Sequence, residues 1–223
     1  MKNDYLTIAL CKGSLLKPTL AMLAAAGLPS DGVTEDSRNL VFTFAEQGIK
    51  YLMCRPTDVP TYVEQGAADL GIVGKDVIVE QQKDVFELVD LGYGACRFVV
   101  AVPEALKNLR LMDLNYRRVA TKFPRVAEAF FRSQGMQVEV IKLHGNIELA
   151  PIIGIADLIV DLVSTGKTLR ENKLVELTTI MASTARLISN PVSFRTKFDR
   201  IEPLVQVLQK IAKGGKDRAD ETN

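Results

Sequence analysis

The stretch that most limits how this chain can fold runs from Asp157 to Leu169, DLIVDLVSTGKTL. Leu158, Ile159, Val160, Leu162 and Val163 form an apolar run too short for a helical core but right for a central strand of a parallel sheet. Asp161 interrupts that run. A carboxylate near the end of a buried strand is costly unless it is paired or faces a polar ligand, which places it where the strand meets a cleft. Directly after it, Ser164, Thr165, Gly166, Lys167 and Thr168 offer backbone N–H groups brought close by glycine and hydroxyl donors at a helix N-terminus, as a phosphate requires. A strand, a hydroxyl–glycine turn and a capped helix also occur in α/β proteins without a ligand, so the segment alone leaves both readings open. It is not a nucleotide P-loop, because G-x-x-x-x-G-K-[ST] demands glycine where this chain has Asp161. A carboxylate there repels a polyphosphate but accepts hydrogen bonds from sugar hydroxyls, so the pattern points to a phosphorylated sugar.

Composition narrows the setting. At 223 residues and 47% hydrophobic content the chain can bury one large core or two small ones. Lysine plus arginine number 28 and aspartate plus glutamate 27, so no global field recruits nucleic acid or an acidic membrane, and an anionic substrate must be held by local clusters. Cys11, Cys54 and Cys96 are an odd, scattered set without C-x-x-C spacing, which argues against a disulfide framework or a zinc site and fits a reducing cytoplasm. His144 is the only histidine, so no His-based metal pair exists. No apolar run approaches the roughly twenty residues of a membrane span, and the short one at the start is no export signal.

In chain order, Tyr5 to Leu10 reads as a strand, followed by the anion-friendly turn Cys11-Lys12-Gly13-Ser14 and a helix ending before Gly27. Residues 31–38 read as loop, and Leu40 to Phe44 and Lys50 to Met53 as strands closed by Arg38 and Arg55. Asp58 is expected to N-cap a helix with Val59 and Pro60 in its first turn. The stretch from Gly66 to Asp76 then repeats the pattern of Gly154 to Asp161: G-x-x-D, an apolar strand and a turn. These copies lie too far apart for a solenoid and fit equivalent strands in two similar α/β lobes facing one another across a cleft. Phe86 to Val89 and Cys96 to Val102 read as strands around a crossover at Gly92-Tyr93-Gly94-Ala95. A βαβ rhythm follows: Arg118 to Thr121, a helix from Phe123 to Gln134, and Val138 to Leu143. Leu174 to Ile188 returns the chain to the first lobe. Glu202 to Ala212 reads as an amphipathic closing helix, and the tail from Lys213 as disordered.

The run from Glu148 to Leu169, E-(five residues)-GIADLIVDLVSTGKTL, resembles the signature of the ATP phosphoribosyltransferase family, the first enzymes of histidine biosynthesis. Supporting segments are Lys12-Gly13, Asp36-Ser37-Arg38, Arg55-Pro56-Thr57-Asp58-Val59-Pro60, Gly66 to Asp76, Cys96-Arg97 and Ala120-Thr121-Lys122. The resemblance implies a two-lobed α/β fold of the type II periplasmic-binding-protein kind. Its first domain would comprise residues 1–90 and 178–223 on the ATP side, and its second, residues 91–177, would hold the phosphate loop. It implies a glycosyltransferase that joins N1 of ATP to C1 of phosphoribosyl pyrophosphate (PRPP) and releases pyrophosphate without a covalent enzyme nucleophile.

On that resemblance, Glu148, Asp161, Ser164, Thr165, Gly166, Lys167 and Thr168 bind PRPP. Lys12, Gly13, Ser14, Arg38, Arg55, Asp69, Gly71 and Asp76 face ATP or pyrophosphate, with Asp69 alternatively capping its strand. Arg38, Arg55 and Asp161 are the expected catalytic residues, and Arg55 could reach a neighbouring subunit. Mg²⁺ is expected on the substrate phosphates rather than on protein ligands. The chain resembles the short form of the family, which implies a homodimer of catalytic subunits in a hetero-octamer with a regulatory subunit similar to histidyl-tRNA synthetase. One position departs: the family commonly has arginine after Lys-Gly, and here it is Ser14. A charge-assisted bond to phosphate contributes about 1.5–3 kcal/mol, so serine is expected to weaken that contact about tenfold unless Lys12, Arg38 or Arg55 compensates. Two rivals are a solute-binding lobe pair without catalysis and a phosphoribosyltransferase acting on another base.

Overall fold

A computed structural model describes residues 5–220. The chain divides into two compact units, residues 1–94 with 184–223, and residues 95–183.

The first unit contains β1 (Leu6–Cys11), α1 (Leu16–Ala25), β2 (Val41–Phe44), β3 (Ile49–Cys54), α2 (Val59–Glu64), β4 (Leu70–Gly74), α3 (Lys75–Gln81) and β5 (Phe86–Asp90). The second contains β6 (Cys96–Pro103), β7 (Arg118–Thr121), α4 (Pro124–Ser133), β8 (Glu139–Lys142), α5 (Leu149–Ile152), β9 (Leu158–Val163), α6 (Lys167–Glu171) and β10 (Leu174–Ser183). The chain then rejoins the first unit with β11 (Ala185–Ser189), α7 (Pro191–Thr196) and α8 (Phe198–Asp220).

The first sheet has the order β2-β3-β1-β4-β11-β5, with β1 parallel to β3 and β4. Alternate residues of its central strands feed opposite faces. Ile8 and Leu10 pack with Leu16 and Leu23 of α1 and Ile201, Leu204, Val205 and Leu208 of α8. Ala9 and Cys11 pack on the other face with Val59 and Val63 of α2 and Val77 of α3. Burial on both faces is why these strands read as near-continuous apolar runs.

Gly71 belongs to this packing. A Cβ there would lie 2.7 Å from Val59 Cγ1, 2.8 Å from Val63 Cγ2 and 3.3 Å from Ile188 Cγ1. The expectation that Gly71 touches ATP is therefore corrected: it is buried between α2 and β11. Gly71→Ala is expected to destabilise the fold by about 1–3 kcal/mol, the usual cost of overpacking. Urea denaturation checks this, and unchanged stability would contradict the contact.

The second sheet has the order β10-β6-β9-β7-β8, with β9 parallel to β7 and antiparallel to β6. Leu158, Ile159 and Val160 of β9 are fully buried. The return segment read as one piece from Leu174 to Ile188 is two strands: β10 pairs with β6 in the second unit, and β11 with β4 and β5 in the first.

Two further expectations are corrected. Asp58 makes no side-chain cap to α2; it closes a 3-10 turn over Pro56–Asp58 with helical dihedrals, which leaves its carboxylate out of capping position. The tail from Lys213 continues α8 as helix through Asp220, and its last residues lie outside the described ones. Among the described residues no helix is long and apolar enough to cross a membrane.

Candidate functional site

In the second unit the parallel strands β7 and β9 end side by side, with Thr121 opposite Val160. Glu148 at the start of α5, Asp161 to Val163 of β9, and the loop Ser164 to Thr168 leading into α6 line one cavity of about 230 Å³. Gly166 adopts φ +72° as it turns the chain from strand into helix, a conformation that favours glycine. Asp161 is partly buried, and burial pushes its carboxyl up to about 6. The Leu162 amide and Lys122 charge act in the opposite sense, while Glu148 adds to the rise. A carboxyl raised by burial beside the loop hydroxyls and amides is a strongly perturbed group of the kind found at functional sites.

In the first unit the parallel alignment of Cys11 with Cys54 and of Leu10 with Ile72 brings the C-terminal ends of β1, β3 and β4 to one edge. Lys12, Gly13 and Ser14 follow β1 there, Arg55 follows β3, and Asp76 opens α3 after β4. Arg38 joins them because β2 runs antiparallel to β3, with Val41 opposite Leu52, so the residues before β2 lie beside the end of β3. Lys12 Nζ donates to Ser37 O at 2.6 Å and Glu35 O at 3.3 Å, tying this loop to the edge. Gly13 has φ +99°, and Ser14, Arg38 and Arg55 are exposed. Burial, with Asp76 adding, pushes the Cys11 thiol up to about 11, and burial chiefly pushes Cys54 up to about 12, so neither is a thiolate nucleophile near neutral pH.

Asp69 does not belong to that edge. It precedes β4, at the end of the strand opposite Asp76, and its side chain is only 8% exposed. Its carboxylate accepts from Thr7 N at 2.8 Å, Ser193 Oγ at 2.7 Å and Lys197 Nζ at 2.7 Å, which leaves it structural rather than nucleotide-facing. Asp157 does the same before β9, accepting from Arg118 N at 2.9 Å and Arg118 Nε at 3.3 Å. In each unit the aspartate N–H also donates back to the residue that serves its carboxylate, Asp69 N to Thr7 O and Asp157 N to Arg118 O. Gly66 and Gly154 take φ +70° and +74°. The repeated G-x-x-D is thus a turn glycine followed by an aspartate that staples neighbouring parallel strands.

Sequence reasoning quoted Lys122 and Arg97 only as parts of supporting segments and gave them no role, and it passed over Arg170; the Lys122 charge acts on Asp161, and Arg97 and Arg170 hold the loop carbonyls. Lys122 follows β7 as the loop follows β9, a strand-end position that could have singled it out.

Two mixed α/β units, one with a hydroxyl- and glycine-rich loop and a strand-end carboxylate lining one cavity, define an α/β protein with a candidate anion site at its strand ends. A family model described as ATP phosphoribosyltransferase matches residues 55–210. An ATP phosphoribosyltransferase of Syntrophomonas wolfei is 68% identical over 96% of this chain and 99% of its own length. A solved ATP phosphoribosyl transferase complex (HisG:HisZ) from Thermotoga maritima superposes with a TM-score of 0.78 at 34% identity, over 94% of this chain and 99% of that one. The chain belongs to the ATP phosphoribosyltransferase family, glycosyltransferases that catalyse the first step of histidine biosynthesis. A substrate-binding protein of an amino acid ABC transporter matches at TM-score 0.60 and 15% identity, over 96% of this chain and 94% of that one, and shows the shared two-lobed type II fold alone. The family's reaction requires a divalent metal.

Proposed function

We propose that this chain transfers the phosphoribosyl group of PRPP to N1 of ATP at the residues described above. The observation that carries the reading is the cavity in which Ser164 to Thr168 adjoin Asp161 and Glu148. The loop amides and hydroxyls hold the ribose 5-phosphate, and the two carboxyl groups orient ribose hydroxyls, with ionised Asp161 supporting the positive charge that grows at C1. As the C1–oxygen bond breaks, negative charge collects on the departing pyrophosphate, and Lys12, Arg38 and Arg55 stabilise it. The purine N1 then forms the new bond to C1, so catalysis is mainly positioning and electrostatics. Gly13, Ser14 and Asp76 take the ATP side, with the first unit serving ATP and the second serving PRPP.

The reading places the divalent metal on the substrate phosphates rather than on protein ligands. That metal is Mg²⁺, which neutralises phosphate charge when bound. The reading extends to a short-form catalytic subunit in the cytoplasm, dimeric within a hetero-octamer whose regulatory subunit is similar to histidyl-tRNA synthetase. Incubation with PRPP, Mg²⁺ and a panel of bases tests it. Pyrophosphate release with ATP is the expected result. Release with another base assigns a different acceptor, and binding without release assigns a solute-binding protein.

A further inference from the structure

We propose that Arg97 and Arg170 are positioning residues that set the direction of the Thr165 and Gly166 amides from behind the phosphate loop. The inference rests on reading that loop as a sugar-phosphate cradle. Arg97 is the second residue of β6, opposite Val163 of β9 in register, and its Nη1 donates to Ser164 O in a long bond of 3.4 Å. Its other nitrogens grip Glu176 of β10, Nε to Oε1 at 3.2 Å and Nη2 to Oε2 at 2.6 Å. Thr179 Oγ1 donates to the same Glu176 Oε1 at 2.7 Å. The guanidinium is therefore fixed before it meets the loop. Arg170, on α6, donates from Nη1 to Thr165 O at 3.1 Å.

Peptide planarity carries the consequence across to the other side. In a trans peptide the carbonyl and the following N–H point in opposite directions, and no cis peptide occurs among the described residues. With the Ser164 carbonyl turned to Arg97, the Thr165 N–H is turned away from it. With the Thr165 carbonyl turned to Arg170, the Gly166 N–H is turned away likewise. Neither N–H meets a protein acceptor among the described residues, and both residues line the cavity that holds Asp161. A carbonyl bonded to a cation also polarises its own peptide, which makes the opposite N–H a stronger donor. The arginines thus pre-orient two donors without touching the phosphate themselves. Gly166 is part of the same device, since a Cβ there would lie 3.1 Å from Arg170 Nη1.

The test is calorimetric titration of ribose 5-phosphate and, separately, of ATP into the wild-type chain, Arg97→Ala and Arg170→Ala, with ¹⁵N shifts of the Thr165 and Gly166 amides followed in the sugar-phosphate titration. Each variant is expected to bind ribose 5-phosphate about tenfold more weakly, the scale of one misdirected amide–phosphate bond, to bind ATP as the wild type does, and to show smaller shifts at both amides. A parallel loss for both ligands together with a lowered melting temperature would make the arginines merely structural and overturn the proposal. Undiminished ribose 5-phosphate binding in both folded variants would overturn it while leaving the cradle reading intact. A wild-type chain that fails to bind ribose 5-phosphate would overturn the cradle reading itself. Should Arg97→Ala not fold, Arg170→Ala at its exposed position decides the matter.

Discussion

Replacing Asp161 by asparagine is expected to lower turnover by about two to three orders of magnitude, the scale of removing one aligned electrostatic group, while making the folded chain more stable above pH 6. Both effects have one cause. Burial raises the carboxyl from its ordinary 3.8 to about 6, with Leu162 N–H and Lys122 opposing and Glu148 adding. The folded protein therefore holds this proton to a higher pH than the unfolded chain, and stability falls as pH rises from about 4 through 6. A rise of that size corresponds to roughly 3 kcal/mol at ~1.4 kcal/mol per pH unit. Asparagine removes the penalty, so the variant should gain up to about that much at pH 8 and nothing at pH 3, as urea denaturation would record. The wild-type rate with PRPP should rise through pH 6 as the carboxylate ionises, and the variant should lack that limb. An asparagine variant with full turnover would remove Asp161 from the site.

Arg38→Ala is expected to reduce kcat by about a hundredfold while changing ATP affinity only a few-fold, because its charge is needed most when pyrophosphate departs. Arg38 is exposed and forms no ion pair with another described residue. It stands at the strand-end edge with Arg55 and near Lys12, which bonds the carbonyl of the preceding Ser37. Single-turnover kinetics with separately measured ATP binding separates the two effects. An unchanged catalytic rate would discard the leaving-group role.

The parts of this fold that were legible from sequence are those where local chemistry and tertiary burial agree. β7 spans Arg118–Thr121 as read, and α4 ends just before Gln134 and Gly135, which has φ +70°. β9 announced itself because burial on both faces leaves an apolar run that Asp161 alone interrupts.

Other features depend on what lies across the sheet. Thr184 carries no breaker signal, yet strand pairing there passes from β6 to β4 and β5, splitting the return into β10 and β11. α7 did carry a signal: Asn190 accepts from Val192 N and Ser193 N ahead of Pro191 at the first helical position, an N-cap pattern the reading passed over. The repeated G-x-x-D was recognised as equivalent in the two halves and as preceding an apolar strand, yet Asp69 was still grouped with Asp76 at the ATP-facing strand end. Asp69 and Asp157 lie before their strands rather than after them, where neighbouring N–H groups and cations enclose them. Gly71 was assigned to the ATP side on the family resemblance, although a glycine in a strand can also mark close packing of its neighbours. The neighbours that pack on it are Val59 and Val63.

The most direct measurement is a crystal structure of the chain with PRPP bound. The 5-phosphate should sit on the amides and hydroxyls of residues 164 to 168 with ribose hydroxyls on Asp161. A phosphate lodged elsewhere, with that loop empty, would contradict the proposed site.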